Sequence, residues 1–200
     1  EHALPVSLSL PLREDRYTGA PVIAVFENLL PDDAGIRPRL AERVRADGSD
    51  AYSLLTKIGR DCVGALQFLP QGVEPGAAGA VKGRPVGADY IARKIGDLSA
   101  TPLGVDEDEE FRISLAGAQE KTALLFWKKK WHVPHGTTAT THIIKPQIGV
   151  LPSGIDLTRS VENEYLCLKL TAGLGLRSAH AAIADFKGIR VLVVERFDRL

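Results

Sequence analysis

Apolar residues in the first sixty positions recur at the three- and four-residue spacing of short helices. Residues 21–30 show this spacing, and Pro21 suits the first turn of the predicted helix. A more polar helix is predicted over 37–46. A third is predicted over 50–58, where Asp50 is a favourable N-cap. The beginning of the chain is therefore predicted to be mainly helical.

The pattern changes in the next fifty residues. Residues 63–69 are mostly apolar and lie between turn formers, which predicts a strand. Glycines and a proline make 71–84 a linker or long loop, 85–98 has helical spacing, and 101–110 is an acidic connector. We place a domain boundary in this connector, after an N-terminal helix and sheet subdomain at 1–104.

The second unit, residues 111–200, has the pattern of a small β-rich lobe with one long helix. The helix is predicted to begin at a cap formed by Asp156 or Thr158 and to end near Ala172. Residues 128–130 are three lysines, for which a solvated hairpin tip is the simplest interpretation. The predicted strands are 122–127, 131–133, 141–145, 182–186 and 189–194. The fold class is therefore predicted to be α+β.

Composition argues against several classes of protein. The chain is 44% hydrophobic and 25% charged, which is ordinary for a globular protein. Its formal net charge of zero gives no overall attraction for nucleic acid, although a local basic patch stays open. The apolar runs are too short for a membrane span, and no secretion signal opens the chain.

The two cysteines, Cys62 and Cys167, lie in apolar segments and are expected to be buried free thiols, which fits a reducing cytoplasm. The sequence contains no Met, begins with Glu1 and ends at Leu200 without a recognisable terminal signal. We therefore expect it to be part of a longer product.

Lys145 ends the predicted strand 141–145, and Glu164 lies in the helix that follows. Val161, Glu164 and Leu168 share one helical face, which is predicted to point towards the core. A carboxylate on that face is costly unless a cation pairs with it, and Lys145 is the natural candidate. Two simpler alternatives stay open, namely a lysine that extends into solvent and a carboxylate solvated at the edge of the face.

A short loop of small and hydrogen-bonding residues leads directly into the apolar strand 122–127. Its spacing matches neither a Walker A loop nor a Gly-x-Gly-x-x-Gly loop. Glycine at its centre permits close approach of the backbone to an anion, and the Gln and Lys side chains could add donors. A simple β-turn explains the loop equally well. The residues are Ser114-Leu115-Ala116-Gly117-Ala118-Gln119-Glu120-Lys121.

Glu195 and Phe197 follow the apolar strand 189–194. In a two-lobed nucleotide kinase, the segment after the last strand of the small lobe offers backbone groups to the adenine edge. Position alone favours the simpler interpretation, a strand end with solvated charges.

Taken together, these segments resemble the HipA family of toxin serine/threonine kinases. The resemblance extends over nearly the whole chain, and the ordered set of segments is more specific than any one of them. The matching segments are 26–32, 58–67, 113–124, 141–146, 162–165 and 194–199.

The resemblance implies a cytoplasmic bacterial kinase that uses ATP and Mg²⁺ and acts as the toxin of a type II toxin–antitoxin system linked to persistence. It implies a HipB-type DNA-binding antitoxin as partner, so that DNA contact would be made mainly through the antitoxin. The family's described target is glutamyl-tRNA synthetase, which implies a translation-related protein substrate with a reactive serine. The fold implied for 111–200 is the small lobe of a protein-kinase-like fold.

The resemblance also implies roles for individual residues. Lys145 would bind the ATP phosphates with Glu164 as its supporting ion partner, and Glu195 and Phe197 would meet adenine. Ser114 would be autophosphorylated, and its added charge would drive the loop out of the cleft and inhibit the enzyme. The residues implied in ATP binding are Ala116, Gly117, Ala118, Gln119, Lys121, Lys145, Glu195 and Phe197.

One departure from the family is important. Phosphoryl transfer needs an Asp that orients the attacking hydroxyl and further ligands for Mg²⁺. In the family these lie in the C-terminal lobe, after the hinge, and no segment here resembles that catalytic loop. We therefore assign no catalytic residue and no metal ligand to this chain. The alternatives are a catalytically incomplete fragment that acts only as an antitoxin-binding module, and a nucleotide-binding regulator of unrelated descent.

Overall fold

The computed structural model describes residues 3–33, 35–76, 81–105, 115–117 and 119–199. Within these residues the chain forms an α+β fold. The helices are α1 (Ala20–Glu27), α2 (Ile36–Arg43), α3 (Ala51–Ile58), α4 (Ala88–Gly96) and α5 (Ser160–Gly173), with a 3₁₀ turn at Pro102–Gly104. The strands are β1 (Gly83–Val86), β2 (Thr122–Trp127), β3 (Lys130–Pro134), β4 (His142–Pro146), β5 (Gly149–Val150), β6 (Asp156–Leu157), β7 (Ala181–Phe186) and β8 (Ile189–Glu195).

Six of these strands form one antiparallel sheet in the order β1-β3-β2-β4-β8-β7. Strand β4 lies in its interior, because Ile144 is opposite Thr122 of β2 on one side and Val193 of β8 on the other. The side chain of Ile144 is fully buried. β4 is therefore fixed on both edges, and this fixes the backbone of the lysine that follows Ile144.

The hairpins β2–β3 and β7–β8 are present as predicted. The first turns through Lys128 (φ 47°) and Lys129 (φ 61°), and the second through Lys187 (φ 55°) and Gly188 (φ 86°). Two successive residues with positive φ give a turn whose twist matches that of the flanking strands. The lysines of the first turn are exposed, as expected for a solvated tip.

The three helices predicted at the beginning of the chain are present. Helix α3 begins at Ala51, because Asp50 Oδ1 accepts a hydrogen bond from the Ser53 N–H at 3.1 Å. Helices α1 and α2 each end three residues before the predicted position. The longest helix, α5, has 14 residues, and no helix in the described ranges is long and apolar enough to cross a membrane.

The strand predicted at 63–69 is wrong, since this described segment is irregular. Its backbone groups bond to other partners. The Phe68 N–H donates to the Gly59 carbonyl oxygen at 2.8 Å, and the Gly64 N–H donates to Asp198 Oδ2 at 2.8 Å. The segment therefore wraps around the end of α3 and does not join the sheet.

The helix predicted at 85–98 begins too early. The described structure has β1 at Gly83–Val86, and Arg84 lies opposite Val133 of β3. A Cβ atom on Gly83 would lie 2.9 Å from the Val133 carbonyl oxygen, so glycine is what permits this close pairing. Helix α4 follows at Ala88 and buries its apolar face.

The predicted cap of α5 is also wrong. Asp156 Oδ1 accepts a hydrogen bond from the Thr158 N–H at 2.9 Å and so stabilises a turn before the helix. The helix begins at Ser160, where Gln147 Oε1 accepts a hydrogen bond from the Val161 N–H at 2.8 Å. The capping side chain comes from the end of β4, fourteen residues away, and local sequence cannot reveal it.

Helices from the first half of the chain and strands from the second half contribute to one apolar core. Its fully buried members include Leu54, Ile58, Ile91, Leu124 and Ile144. Both cysteines are free thiols, and Cys62 is buried as predicted, but the predicted burial of Cys167 is wrong because it is exposed on α5. The domain boundary at 101–110 stays a prediction, because residues 106–110 lie outside the described residues.

Candidate functional site

Lys145 and Glu164 form an ion pair between β4 and α5. Lys145 Nζ lies 2.7 Å from Glu164 Oε1, and the two side chains are 21% and 35% exposed. The predicted pairing of these residues is confirmed. The predicted core-facing position of Glu164 is wrong, since Val161 is the only buried residue of α5. A lysine ammonium has three donors, so one bond to Glu164 leaves donors for a ligand at the partly open side.

A second lysine lies close to this pair. The Lys121 side chain is buried, and its Nζ donates to the carbonyl oxygens of Ala116 at 2.9 Å and Gly117 at 3.1 Å. Burial lowers the pKa of Lys121 to about 8, and the positive charge of Lys145 acts in the same direction. Lys121 therefore holds the loop backbone in place, and two ammonium groups stand near one another with Glu164 beside them.

The loop before β2 lies against the end of β4. Gly117 has a φ of +101°, and a Cβ atom there would lie 3.1 Å from Lys121 Nζ, so the position favours glycine twice over. Gln119 Nε2 donates to the Pro146 carbonyl oxygen at 3.1 Å and connects the loop to the residue after Lys145. Ser114 and Ala118 lie outside the described residues.

The loop, the two lysines and the end of β4 form a group in which positive and negative charges balance, while donors of Lys145 stay available. Two ammonium groups are offset by the carboxylate of Glu164, with that of Asp32 also close enough to act on Lys121. A lysine ammonium is a compact point charge suited to phosphate oxygens. The arrangement supports the binding of an anion such as a polyphosphate.

Glu195 and Phe197 lie at the end of the strand next to β4. The Glu195 N–H donates to the His180 carbonyl oxygen at 2.8 Å, and the Phe197 side chain is 82% exposed. Glu195 is opposite His142, whereas Lys145 is opposite Leu192. Glu195 and Lys145 therefore lie three residue positions apart along the β4–β8 pair. Glu195 is thus the last residue of the strand that adjoins the lysine strand, and Phe197 lies two residues beyond it.

Between them, Arg196 points the other way, into a buried group of charges. Its Nη1 lies 3.2 Å from Asp61 Oδ2 and donates to Thr140 Oγ1 at 2.7 Å. The same Asp61 oxygen accepts from the Thr140 N–H at 2.8 Å and from its hydroxyl at 2.6 Å. The Asp61 and Arg196 side chains are only 4% and 1% exposed.

Asp198 and Arg199 complete this group. Arg199 Nη2 lies 2.6 Å from Asp61 Oδ1, and Arg196 Nη2 lies 2.9 Å from Asp198 Oδ2. Burial alone would raise the pKa of Asp198, but hydrogen bonds from Arg196 and the Gly64 N–H, with the charges of both arginines, bring it down to about 2. The segment after β8 is thus bound to residues 61–64 of the first half.

The sequence interpretation missed this group of charges. Strand alternation at the end of β8 was the available signal, since it puts Arg196 on the face opposite to Glu195 and Phe197. Asp61 gave a second signal, because it lies between the apolar residues Ile58 and Cys62. Neither signal identifies the partner, because Asp61 and Arg196 are 135 residues apart in the sequence.

Two family models match this chain. The HipA N-terminal domain matches residues 1–69, and the HipA-like C-terminal domain matches residues 113–200. Together they include the loop, both lysines and the buried group of charges.

Individual relatives match over the whole chain. Y4mE of Sinorhizobium fredii, a protein named as a kinase by inference, is 35% identical, and the match covers 46% of that protein. The serine/threonine-protein kinase toxin HipA of Shewanella oneidensis is 29% identical, and the match covers 43% of it. The chain therefore spans less than half the length of these curated relatives.

A solved structure also matches. It is the complex of Shewanella oneidensis HipA with HipB and operator DNA, and its matching chain is 30% identical with a TM-score of 0.65. The match covers 90% of this chain and 39% of that one. The fold described above is therefore shared with part of a solved structure.

Proposed function

Because this chain belongs to the HipA family, we propose that it is the N-terminal, nucleotide-binding portion of a serine/threonine protein kinase toxin. The observation that carries the proposal is the contact of 2.7 Å between Lys145 on β4 and Glu164 on α5. A strand lysine held by a helix glutamate is the arrangement that protein kinases need for phosphoryl transfer. The intact protein would transfer phosphate from ATP to a serine of its target.

Each described part of the site has a role in the proposal. Lys145 binds the phosphates of ATP, and Glu164 holds its ammonium group in place. The loop covers the phosphates. Lys121, which the family resemblance implies in ATP binding, fixes the loop backbone through the carbonyl oxygens of Ala116 and Gly117. Glu195 and Phe197 offer backbone groups to the adenine edge. The loop residues in this role are Ala116, Gly117, Ala118 and Gln119.

Mg²⁺ accompanies ATP in this proposal, but this chain gives it no defined position. The described residues contain no group of three His, Cys, Asp or Glu side chains that could hold a metal ion. The metal ligands and the catalytic Asp are therefore assigned to the part of the relatives that this chain does not span. The residues of this chain bind and orient the nucleotide and hold the loop.

Autophosphorylation of Ser114 is part of the proposal. The support comes from the sequence, since Ser114 is the first residue of the loop 114–121. A phosphate there would add about two negative charges to the loop and change its order. Loss of the loop from the nucleotide would inhibit the kinase.

The proposed partner is a HipB-type antitoxin, which would make most of the contact with DNA. The solved complex of HipA, HipB and operator DNA supports this partner, as does the zero net charge of this chain. The proposed substrate is a translation-related protein such as glutamyl-tRNA synthetase. A second candidate function is an antitoxin-binding module without kinase activity, and the solved complex that contains HipB favours it.

Phosphate incorporation into a candidate target would test the proposal. The intact protein that contains this chain is incubated with labelled ATP, Mg²⁺ and glutamyl-tRNA synthetase. Lys145→Ala should abolish incorporation, and Lys187→Ala should not, because Lys187 forms an exposed pair with Asp89. Full incorporation by folded Lys145→Ala would refute the role of Lys145. Antitoxin binding by a wild-type protein that binds no ATP would favour the module.

A further inference from the structure

The buried group around Asp61 connects the first half of the chain to the proposed nucleotide site. Asp61 accepts a hydrogen bond from the Thr140 hydroxyl and forms ion pairs with Arg196 and Arg199. Thr140 lies just before β4, and both arginines lie just after β8. One carboxylate therefore fixes the ends of the two neighbouring strands that carry the proposed phosphate-binding and adenine-binding residues.

A direct backbone contact joins the same two strand ends. The Arg196 N–H donates to the Thr141 carbonyl oxygen at 2.9 Å. Arg196 is thus held by its backbone to the start of β4 and by its guanidinium to Asp61 and Cys62. Both attachments fix the backbone at the residue between Glu195 and Phe197.

The alternation of side chains gives this attachment a direction. Arg196 is buried on the side of Asp61, whereas the side chains of Glu195 and Phe197 are mostly exposed on the other side. A segment held by its central residue presents the two flanking residues at a fixed spacing. Recognition of a base edge by backbone donors and acceptors depends on such a spacing, because hydrogen bonds weaken steeply when they are misaligned.

We propose that Asp61 is a positioning residue for base recognition, which acts through Arg196 on the backbone at Glu195 and Phe197. The inference rests on the proposed function, because it takes the segment after β8 as the adenine-binding segment. Asp61 itself touches no nucleotide. Its effect is on discrimination between ATP and GTP, which present different hydrogen-bonding groups at the base edge but the same triphosphate.

Binding of ATP and of GTP to the intact protein, measured by calorimetry, would test the inference. Asp61→Asn keeps the size of the side chain and removes its charge, so both arginines lose one of the two carboxylates that they share. ATP should then bind about tenfold more weakly, the cost of about one hydrogen bond, while GTP binding should change little. The ratio of the two affinities should fall by the same factor.

A second variant keeps the test informative if Asp61→Asn fails to fold. Thr140→Val removes the hydroxyl that donates to Asp61 and accepts from Arg196, but it keeps the shape of the side chain. It should lower the ratio in the same direction by a smaller factor. Asp89→Asn is the control, because Asp89 is exposed and pairs only with Lys187 among the described contacts.

The possible outcomes separate this inference from the proposed function. A wild-type ratio of ATP to GTP affinity in folded Asp61→Asn and Thr140→Val would overturn the inference alone. Absence of ATP binding by the wild-type protein would overturn the proposed function, and the inference with it. A reduced ratio in either variant, with an unchanged ratio in Asp89→Asn, would support the inference. Weaker binding of both nucleotides by the same factor would indicate a general loss of structure and would also overturn it.

Discussion

Lys145 Nζ and Glu164 Oε1 lie 2.7 Å apart, although the two residues are 19 positions apart in the sequence. Lys145 lies on strand β4 and Glu164 on helix α5. The strand is fixed by β2 and β8, and the helix begins at a cap that Gln147 provides. The lysine is therefore positioned from both sides of the contact.

Glu164→Gln should weaken ATP binding and slow phosphate transfer by the intact protein. A neutral amide can still accept a hydrogen bond but no longer balances the lysine charge, so the ammonium group moves more freely. We expect a loss of about tenfold or more in kcat/KM for ATP, of the order of one charge-assisted hydrogen bond. Asp89→Asn is the control, because this exposed carboxylate pairs with the exposed Lys187. Equal losses in both variants would contradict the specific role of Glu164.

The stability of the protein should rise with pH above about 8 through Lys121. The pKa of Lys121 falls from an ordinary 10.5 to about 8 in the folded chain, first because of burial and then because of Lys145. Between these values the unfolded chain binds the proton and the folded chain does not, so deprotonation favours folding. Urea unfolding at several pH values should show this rise in wild type and not in Lys121→Met. A parallel pH dependence in both proteins would rule out Lys121 as its source.

Asp61→Ala should destabilise the protein by about 3–5 kcal/mol, because it removes the most buried carboxylate of the group and leaves two arginines to share Asp198. The exposed ion pair of Asp89 and Lys187 provides the comparison, since its side chains are 84% and 58% exposed. Asp89→Ala should cost less than about 1 kcal/mol. Thermal or urea unfolding measures both. A cost below that of Asp89→Ala would show that the buried contacts contribute little.

Gly117→Ala should weaken nucleotide binding, whereas Gly136→Ala should not. Both glycines have positive φ, so alanine should cost about 1 kcal/mol of folding free energy at either position. Only at position 117 would the new methyl group press on Lys121 Nζ, and nothing lies within 4 Å of a Cβ at position 136. Unfolding measurements and ATP titration separate the two effects. Normal ATP affinity in Gly117→Ala would argue against the loop as a phosphate cover.

Ser114→Ala should prevent autophosphorylation and keep the intact protein active for longer. Intact-mass measurement after incubation with ATP should show one added phosphate in wild type and none in the variant. Thr122→Ser is a suitable control hydroxyl, because Thr122 is fully buried and donates to the Leu103 carbonyl oxygen. A phosphate that persists in Ser114→Ala would place the modified residue elsewhere.

Local sequence signals were sufficient for much of this fold. Strands β2, β4, β7 and β8 follow from their apolar patterns, and α3 follows from the Asp50 cap. The contact between Lys145 and Glu164 was predictable for a physical reason. Glu164 shares a helical face with the apolar residues Val161 and Leu168, and a carboxylate on such a face is stabilised by a cation. The face is less buried than predicted, since the Glu164 side chain is 35% exposed, but Lys145 still pairs with it.

The features that sequence analysis could not predict depend on distant partners. Strand β1 needs the edge of β3, the cap of α5 needs Gln147, and Asp61 needs Arg196. The irregular segment 63–69 is apolar enough for a strand, but its backbone groups are taken by Gly59 and by the residues after β8. The periodicity of apolar residues indicates which face of an element is buried. It does not identify the distant strand, cap or ion partner that the element contacts.

The pairing of β4 with β8 also sets the moment during synthesis at which the proposed site can form. β4 lacks its second neighbour until residues 189–195 have left the ribosome, and Asp61 meets Arg196 only after 135 further residues have been added. At about 5–20 residues per second, that interval lasts roughly 7–27 seconds. A nascent chain is therefore unable to hold the nucleotide in place until residues 189–195 have been made and have left the ribosome.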